Sequence, residues 1–341
     1  MPKDLERRYV QALLSEIQTV SWKWIPDTVY LGGGTPGSME PAVLKTLMAA
    51  LPGNPWQEAT IEAAPGSLTA ASVKEWAAAG INRVSLGVQS FADAELRSTG
   101  RKHTARTVES DVALLRDAGI SSISIDLIAG LPAQTRESWT QSLDWIERLA
   151  VPHVSVYMLE VDADSRLGRE MLLGGIRYGA GDVPGEGEIV EFYEQAVERL
   201  CAAGLERYEI SNFARHGSES VHNLKYWRLE PYRGFGSDAH SFEDGLRWQN
   251  VETAAEYVER WERGLDPRAS EIPAIPQEER FFVGLRLAAG IIPCAEDWDR
   301  YGAPIRRFLD QGLLEESNGR LRLTRRGILV SNDVLEEFVG A

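Results

Sequence analysis

The chain has 341 residues, 43% of them hydrophobic, and a formal charge of −15. That length holds one large domain or a main domain with a smaller one attached, and the composition buries an ordinary core. The charge excludes a protein that grips nucleic acid or anionic membranes, and no apolar run reaches the roughly 18–20 residues that span a bilayer. The N-terminus MPKDLERRYV lacks the apolar centre of a signal peptide, so the expectation is a cytoplasmic protein.

Residues 5–21 (LERRYVQALLSEIQTVS) place apolar side chains at helical spacing. A repeating pattern follows, in which a short apolar strand leads into a turn and an amphipathic helix. TVYLGGG (28–34) is the first strand, and PAVLKTLMAAL its helix, with Ser38 as cap and Pro41 in the first turn. TIEAAP (60–65) precedes SLTAASVKEWAAAG, a helix capped by Ser67 or Thr69 and ended by Gly80. RVSLGVQS (83–90), SISIDLIAGLP (122–132) and HVSVYMLEV (153–161) continue the series, with helices around TARTVESDVALLRDAG and TRESWTQSLDWIERL. Strands alternating with helices predict right-handed βαβ units and a parallel sheet.

The texture changes after residue 165. The Gly-rich run 172–188 is expected as a long mobile loop, followed by a helix at 188–203. Residues 206–242 are dense in aromatics, His and Gly, and are expected as loops and short strands. Helices are expected to return from about 268, and the tail reads as a helix, a two-stranded wing and a last helix. Three parts result: 1–165, 166–267 and 268–341. The wing suggests DNA, but residues 303–341 carry six Arg against six Asp plus Glu, which is too neutral for a DNA reader. The two cysteines, Cys201 and Cys294, are expected as buried free thiols.

Polar residues collect at the C-terminal ends of the strands, which implies a site at the mouth of a barrel or open sheet. Gly32, Gly33 and Gly34 permit close backbone approach; a plain strand-to-helix turn uses glycine too. Glu62 suits an amino group, Arg101 a carboxylate and Asp126 a pair of ribose hydroxyls, with Gln89 beside them. A zwitterionic nucleoside fits this set; a structural Arg101–Glu62 ion pair is the alternative. In HNLKYW (222–227), His222 can ligate iron, and the aromatics can stack on a flat macrocycle. The plainer alternative is a core Trp227 with His222 hydrogen-bonded in a turn.

LGGGTP, TIEAAPGSLT, RVSLGVQSF with GRKHT, IDLIAGLPAQT, YEISNFAR, HNLKYW and LTRRGILVSN occur in that order. The ordered set resembles the radical S-adenosylmethionine (SAM) proteins of the coproporphyrinogen III dehydrogenase group, and within it the heme chaperone HemW branch. The resemblance covers nearly the whole chain. It implies an α/β fold, a partial (β/α)6 TIM-like barrel with its first strand missing. A C-terminal α+β HemW-type domain with a winged-helix-like tail would follow. It also implies SAM held by Gly33, Gly34, Thr35, Glu62, Gln89, Arg101 and Asp126, and heme at His222, Asn223, Tyr226 and Trp227.

The family opens with a strand and a CxxxCxxC loop whose thiolates hold a [4Fe-4S] cluster. This sequence resembles the family from the helix after that loop, so a misassigned start or a truncation is expected, and radical catalysis is not expected of the chain as it stands. The implied function is binding heme and delivering it to acceptor proteins, respiratory ones among them. The alternatives are an oxygen-independent coproporphyrinogen III oxidase, should the cluster segment exist, and a non-catalytic nucleoside-binding interaction module.

Overall fold

The structure, a computed structural model, describes residues 2–34, 36–160, 169, 173 and 177–339. The chain divides into two compact units. A terminal unit takes Met1–Asp27, Ala42–Gln57 and Ser220–Ala341; a sheet unit takes Thr28–Pro41 and Glu58–Glu219.

The sheet unit is built on strands β1 (Thr28–Leu31), β2 (Glu58–Ala63), β3 (Arg83–Gln89), β4 (Ser122–Ala129) and β5 (His153–Met158). All five are parallel and adjacent in chain order, as the βα alternation predicts. Two short strands, β6 (Glu206–Arg207) and β7 (Asn212–Ala214), extend the sheet past β5 with antiparallel pairing. Alternate residues point to opposite faces of a strand. On one face lie Val29, Ile61, Val84, Leu86, Ile123, Ile125, Leu127, Val154 and Val156, all buried. Those positions leave the paired register positions of the other face to polar residues. The helices Ala70–Ala78, Ala105–Asp117 and Arg136–Leu149 each start at a threonine, Thr69, Thr104 and Thr135. Each threonine side chain accepts the amide of the residue three on, whose hydroxyl returns to the threonine backbone.

In the terminal unit, helix Lys3–Thr19 packs on helix Ala254–Glu262 around Ala12, Val251, Tyr257 and Val258. Three antiparallel strands, β8 (His240–Glu243), β9 (Leu246–Asn250) and β10 (Arg268–Pro273), lie in the order β10-β9-β8. The tail follows its expected form: helix Ala295–Asp310, a hairpin of β11 (Leu314–Ser317) and β12 (Arg320–Leu323), then two short helices. Phe281, Tyr301, Phe308 and Phe338 form its aromatic core.

Four expectations need correction. HNLKYW is helix rather than loop, because Ser220 caps residues Val221–Trp227 through the Asn223 amide. RASEIP forms β10, an edge strand whose side chains are all exposed, so no apolar alternation marks it. The run 172–188 contains a 3-10 turn at Arg177–Asp182 and a helix from Glu186, while 172 and 174–176 lie outside the described residues. Both cysteines are free but exposed. Cys294 stands at the start of a helix, where its backbone N–H donates to Asp297.

Candidate functional site

The face of the sheet opposite the apolar one is mostly polar, with Ile128 an exception beside Tyr157. Parallel register sets Glu62 beside Ser85, Ser85 beside Ser124, Ser124 beside His153 and Asp126 beside Ser155. Towards the N-terminal ends of the strands lies a buried layer. Arg83 stands 4.0 Å from Glu58 and donates to Ser122 Oγ at 3.0 Å. His153 bridges Ser124 Oγ at 2.8 Å and Tyr208 Oη at 2.9 Å. Burial, with the Arg83 charge, drives the His153 pKa well below the ordinary imidazole value, so the ring is neutral.

Towards the C-terminal ends the same face opens. Tyr30 donates to Glu62 Oε1 at 2.6 Å. Ser85 Oγ donates to both Asp126 oxygens, at 3.1 and 3.2 Å. Desolvation pushes the Asp126 pKa up to about 6; the Ser155 and Ser85 hydroxyls oppose the shift, and the Glu62 charge adds to it. Gln89 sits at an irregularity in the β3–β4 register with φ 69°. That backbone costs roughly 1 kcal/mol or more for a non-glycine residue, which a local requirement must offset. A Cβ on Gly87 would lie 3.2 Å from Gln89 Nε2 and 3.9 Å from the Arg101 guanidinium, so glycine makes room for both. Arg101 donates to the Gly87 carbonyl at 3.3 Å, and no Arg101–Glu62 ion pair occurs among the described residues.

The glycine turn adjoins this face. A Cβ on Gly32 would strike the Tyr30 ring at 2.7 Å and approach Glu62 Oε1 at 3.3 Å. Gly33 and Gly34 have φ of 76° and 66°, with open space where a Cβ would point. Thr35 lies outside the described residues. Glu62, Gln89 and Asp126 therefore come from the adjacent strands β2, β3 and β4, and Arg101 reaches Gly87 of β3 from the loop after helix Asp93–Ser98. Reading the strand ends alone misses Tyr30, Ser85, Ser155 and Tyr157. The signal for them is the strict alternation in T-V-Y-L, R-V-S-L and H-V-S-V-Y.

HNLKYW shapes a second place, in the terminal unit. A cavity of about 520 Å³ is lined by aromatic and aliphatic side chains, Tyr226, Trp227, Tyr232, Phe242, Phe282 and Phe338 among them, together with Arg247, Glu278 and Glu279. Tyr226 and Trp227 of the sequence motif line it; His222 and Asn223 do not. His222 Nε2 stands 2.8 Å from Tyr226 Oη, with the rings perpendicular, and Asn223 supplies the capped amide. The Arg286 guanidinium covers the Trp227 ring at 4.5 Å. The buried Trp227 indole N–H has no hydrogen-bond partner among the described residues. Burial pushes the Tyr226 pKa up to about 12.

Two family profiles give the class, a radical SAM domain followed by a HemN-type C-terminal extension. The Radical SAM superfamily profile matches residues 1–146, and the HemN C-terminal domain profile matches residues 277–330. The chain belongs to the heme chaperone HemW family of radical SAM proteins. It is 35% identical over 350 aligned positions to the heme chaperone HemW of Bacillus subtilis (strain 168), covering 97% of this chain and 91% of that one. Against the heme chaperone HemW of Escherichia coli (strain K12), identity is 30% over 348 positions, covering 97% and 89%. The solved coproporphyrinogen III oxidase (HemN) of Escherichia coli superposes with a TM-score of 0.82 at 20% identity, covering 99% of this chain and 83% of that one. The fold is thus the HemN-like α/β partial barrel with its C-terminal domain.

Family membership implies SAM and a [4Fe-4S] cluster. The polar strand-end face and the open glycine turn fit the first. The thiols of this sequence do not fit the second: there are two, Cys201 and Cys294, fewer than the three thiolates of a CxxxCxxC loop. Among the described residues, no group of three or more His, Cys, Asp or Glu side chains is placed to hold a metal ion. No helix among them is long and apolar enough to cross a membrane.

Proposed function

We propose that this chain binds heme in the cavity lined by Tyr226 and Trp227 and delivers it to acceptor proteins. The cavity carries the reading: its walls are largely aromatic, as a flat apolar macrocycle requires, and a motif singled out from sequence supplies two of them. Relatives named heme chaperones support it. In a hemin titration, Trp227→Ala and the cavity-filling Val283→Trp should each weaken binding at least about tenfold, the scale of one lost stacking or packing contact. Unchanged affinity in both would remove the cavity from consideration. For the delivery step, mixing the hemin-loaded chain with an apo-globin should move the heme to the globin; retention over hours argues against a chaperone.

The same reading gives the strand-end face of the sheet unit to SAM. Glu62 would take the amino group, Arg101 the carboxylate and Asp126 the ribose hydroxyls, with Gln89, Gly33, Gly34 and Thr35 completing the site. With a cluster, the pair supplies one-electron reduction of the sulfonium; Cys201 and Cys294 alone hold no such cluster, and the oxidase alternative would depend on one. Equilibrium dialysis with labelled SAM tests the assignment: Glu62→Ala and Asp126→Ala should each lower retention, and equal retention contradicts it. The division at residues 165 and 267 belongs to this reading; the two matched profiles lie within its first and third parts.

A further inference from the structure

The cavity's residue types raise the question of which atom would hold iron. Among the described residues, no histidine, cysteine or methionine lines it. The lining residues that carry an oxygen able to ligate ferric iron are Tyr226, Tyr232, Glu278 and Glu279. Three of these are engaged with cations. Glu279 pairs with Arg247, Tyr232 Oη accepts from Arg247 at 3.1 Å, and Glu278 pairs with Arg300 at 2.7 Å. Tyr226 differs, because its hydroxyl meets an imidazole, His222 Nε2, at 2.8 Å. The two residues are four apart in helix Val221–Trp227 and so share a face. The Tyr226 ring is further fixed edge-on against Tyr232, with centroids 4.6 Å apart. A phenol beside a base can lose its proton without releasing it to bulk water, and tyrosinate is an established axial ligand of heme iron.

Resting on the reading that this cavity is the heme site, we propose that Tyr226 Oη is the iron ligand and that His222 is a positioning residue, not a ligand. As the iron–oxygen bond forms, the phenol O–H bond breaks and the proton passes to His222 Nε2; the iron stays ferric. The His of the motif thus acts through the Tyr four residues on, and the adjacent Trp227 supplies a face for the macrocycle.

Absorption and electron paramagnetic resonance spectra of the full chain with ferric hemin test this. The wild-type spectrum should be high-spin with a phenolate-to-iron charge-transfer band. Tyr226→Phe should abolish the band, and Tyr232→Phe should keep it. His222→Ala should retain the band but release hemin to an apo-globin about tenfold faster, as expected for one lost hydrogen bond to a ligand. An unchanged spectrum in Tyr226→Phe overturns the proposal. So does a low-spin imidazole spectrum that His222→Ala removes, or a release rate that His222→Ala leaves unaltered. Val283→Trp separates the two levels. If that variant binds hemin as tightly as wild type, the cavity is not the site. If it blocks binding while Tyr226→Phe leaves the spectrum intact, only the ligand assignment fails.

Discussion

Asp126 and His153 point from the same face of the sheet, yet they couple stability to pH with opposite signs. Asp126 has a folded pKa of about 6, raised by burial above its ordinary 3.8. The folded state therefore binds more protons than the unfolded chain between those values, and stability falls as pH rises through them. Asp126→Asn keeps an acceptor for Ser85 and removes the buried charge. It should stabilise the protein by on the order of 2–3 kcal/mol at pH 8 and by nothing below about pH 4, as read from urea melts across pH. His153 is depressed below 6.5 and neutral in the fold. Its contribution is present above that value and lost as pH falls beneath it. His153→Gln should therefore flatten the loss of stability as pH falls below about 6.5, and a slope unchanged from wild type would contradict the buried neutral ring.

At the scale of the element, the helices that flank the sheet owe their starts to one device. Thr69, Thr104 and Thr135 each exchange two hydrogen bonds with a Ser or Thr three residues later. Each exchange satisfies two of the amide groups that a helix leaves open at its start. Thr135→Ala should cost about 1 kcal/mol in denaturant unfolding, and Thr135→Ser should recover most of it. The helix behind Thr135 buries Trp139, whose indole donates to the Phe192 carbonyl at 2.7 Å. A fully tethered helix of this kind should show amide exchange limited by global unfolding. Helix Val221–Trp227 is different: it is one seven-residue segment with no buried residue, held by the Ser220 cap and the His222–Tyr226 pair. Its order comes from contacts of its side chains, not from helix propensity, since so short a helix is unstable alone.

Across the whole molecule, the chain's two ends build one unit. Glu16, in the first helix, accepts from the Gly236 amide at 2.8 Å, Asn250 Nδ2 at 2.8 Å and Tyr257 Oη at 2.5 Å. Burial raises its pKa, against the lowering effect of these three donors. Arg8 adds a paired contact to Glu262. Glu16→Ala would strand three donors at once, at roughly 1–3 kcal/mol for each buried group left unpaired. Hydrogen exchange should then quicken across 236–262 and change little across the strands 83–89 and 122–129. Equal quickening in both regions would show that the effect is not local to the terminal unit.

The order of the five parallel strands, the helices between them and the helix–hairpin tail could be read from the sequence, because each follows from local periodicity and capping. Glu62, Gln89 and Asp126 could be picked out for the same reason, since they lie in the C-terminal halves of neighbouring parallel strands; Arg101 lies in a loop beyond β3 and was legible only as a charged residue following that strand. Period-two alternation also carried the polar inner face, including Tyr30 and Ser85, though strand ends alone do not reveal it. Other features depended on distant partners. HNLKYW became a helix through the Ser220 cap and a side-chain pair. RASEIP became a strand only because β9 offered it an edge. The cavity beside Tyr226 needed Phe282 and Phe338, more than fifty residues away in sequence. Local sequence sets which faces are apolar and where helices begin. Long-range packing alone decides which side chains enclose a space, because that depends on chain closure and not on any residue's own preference.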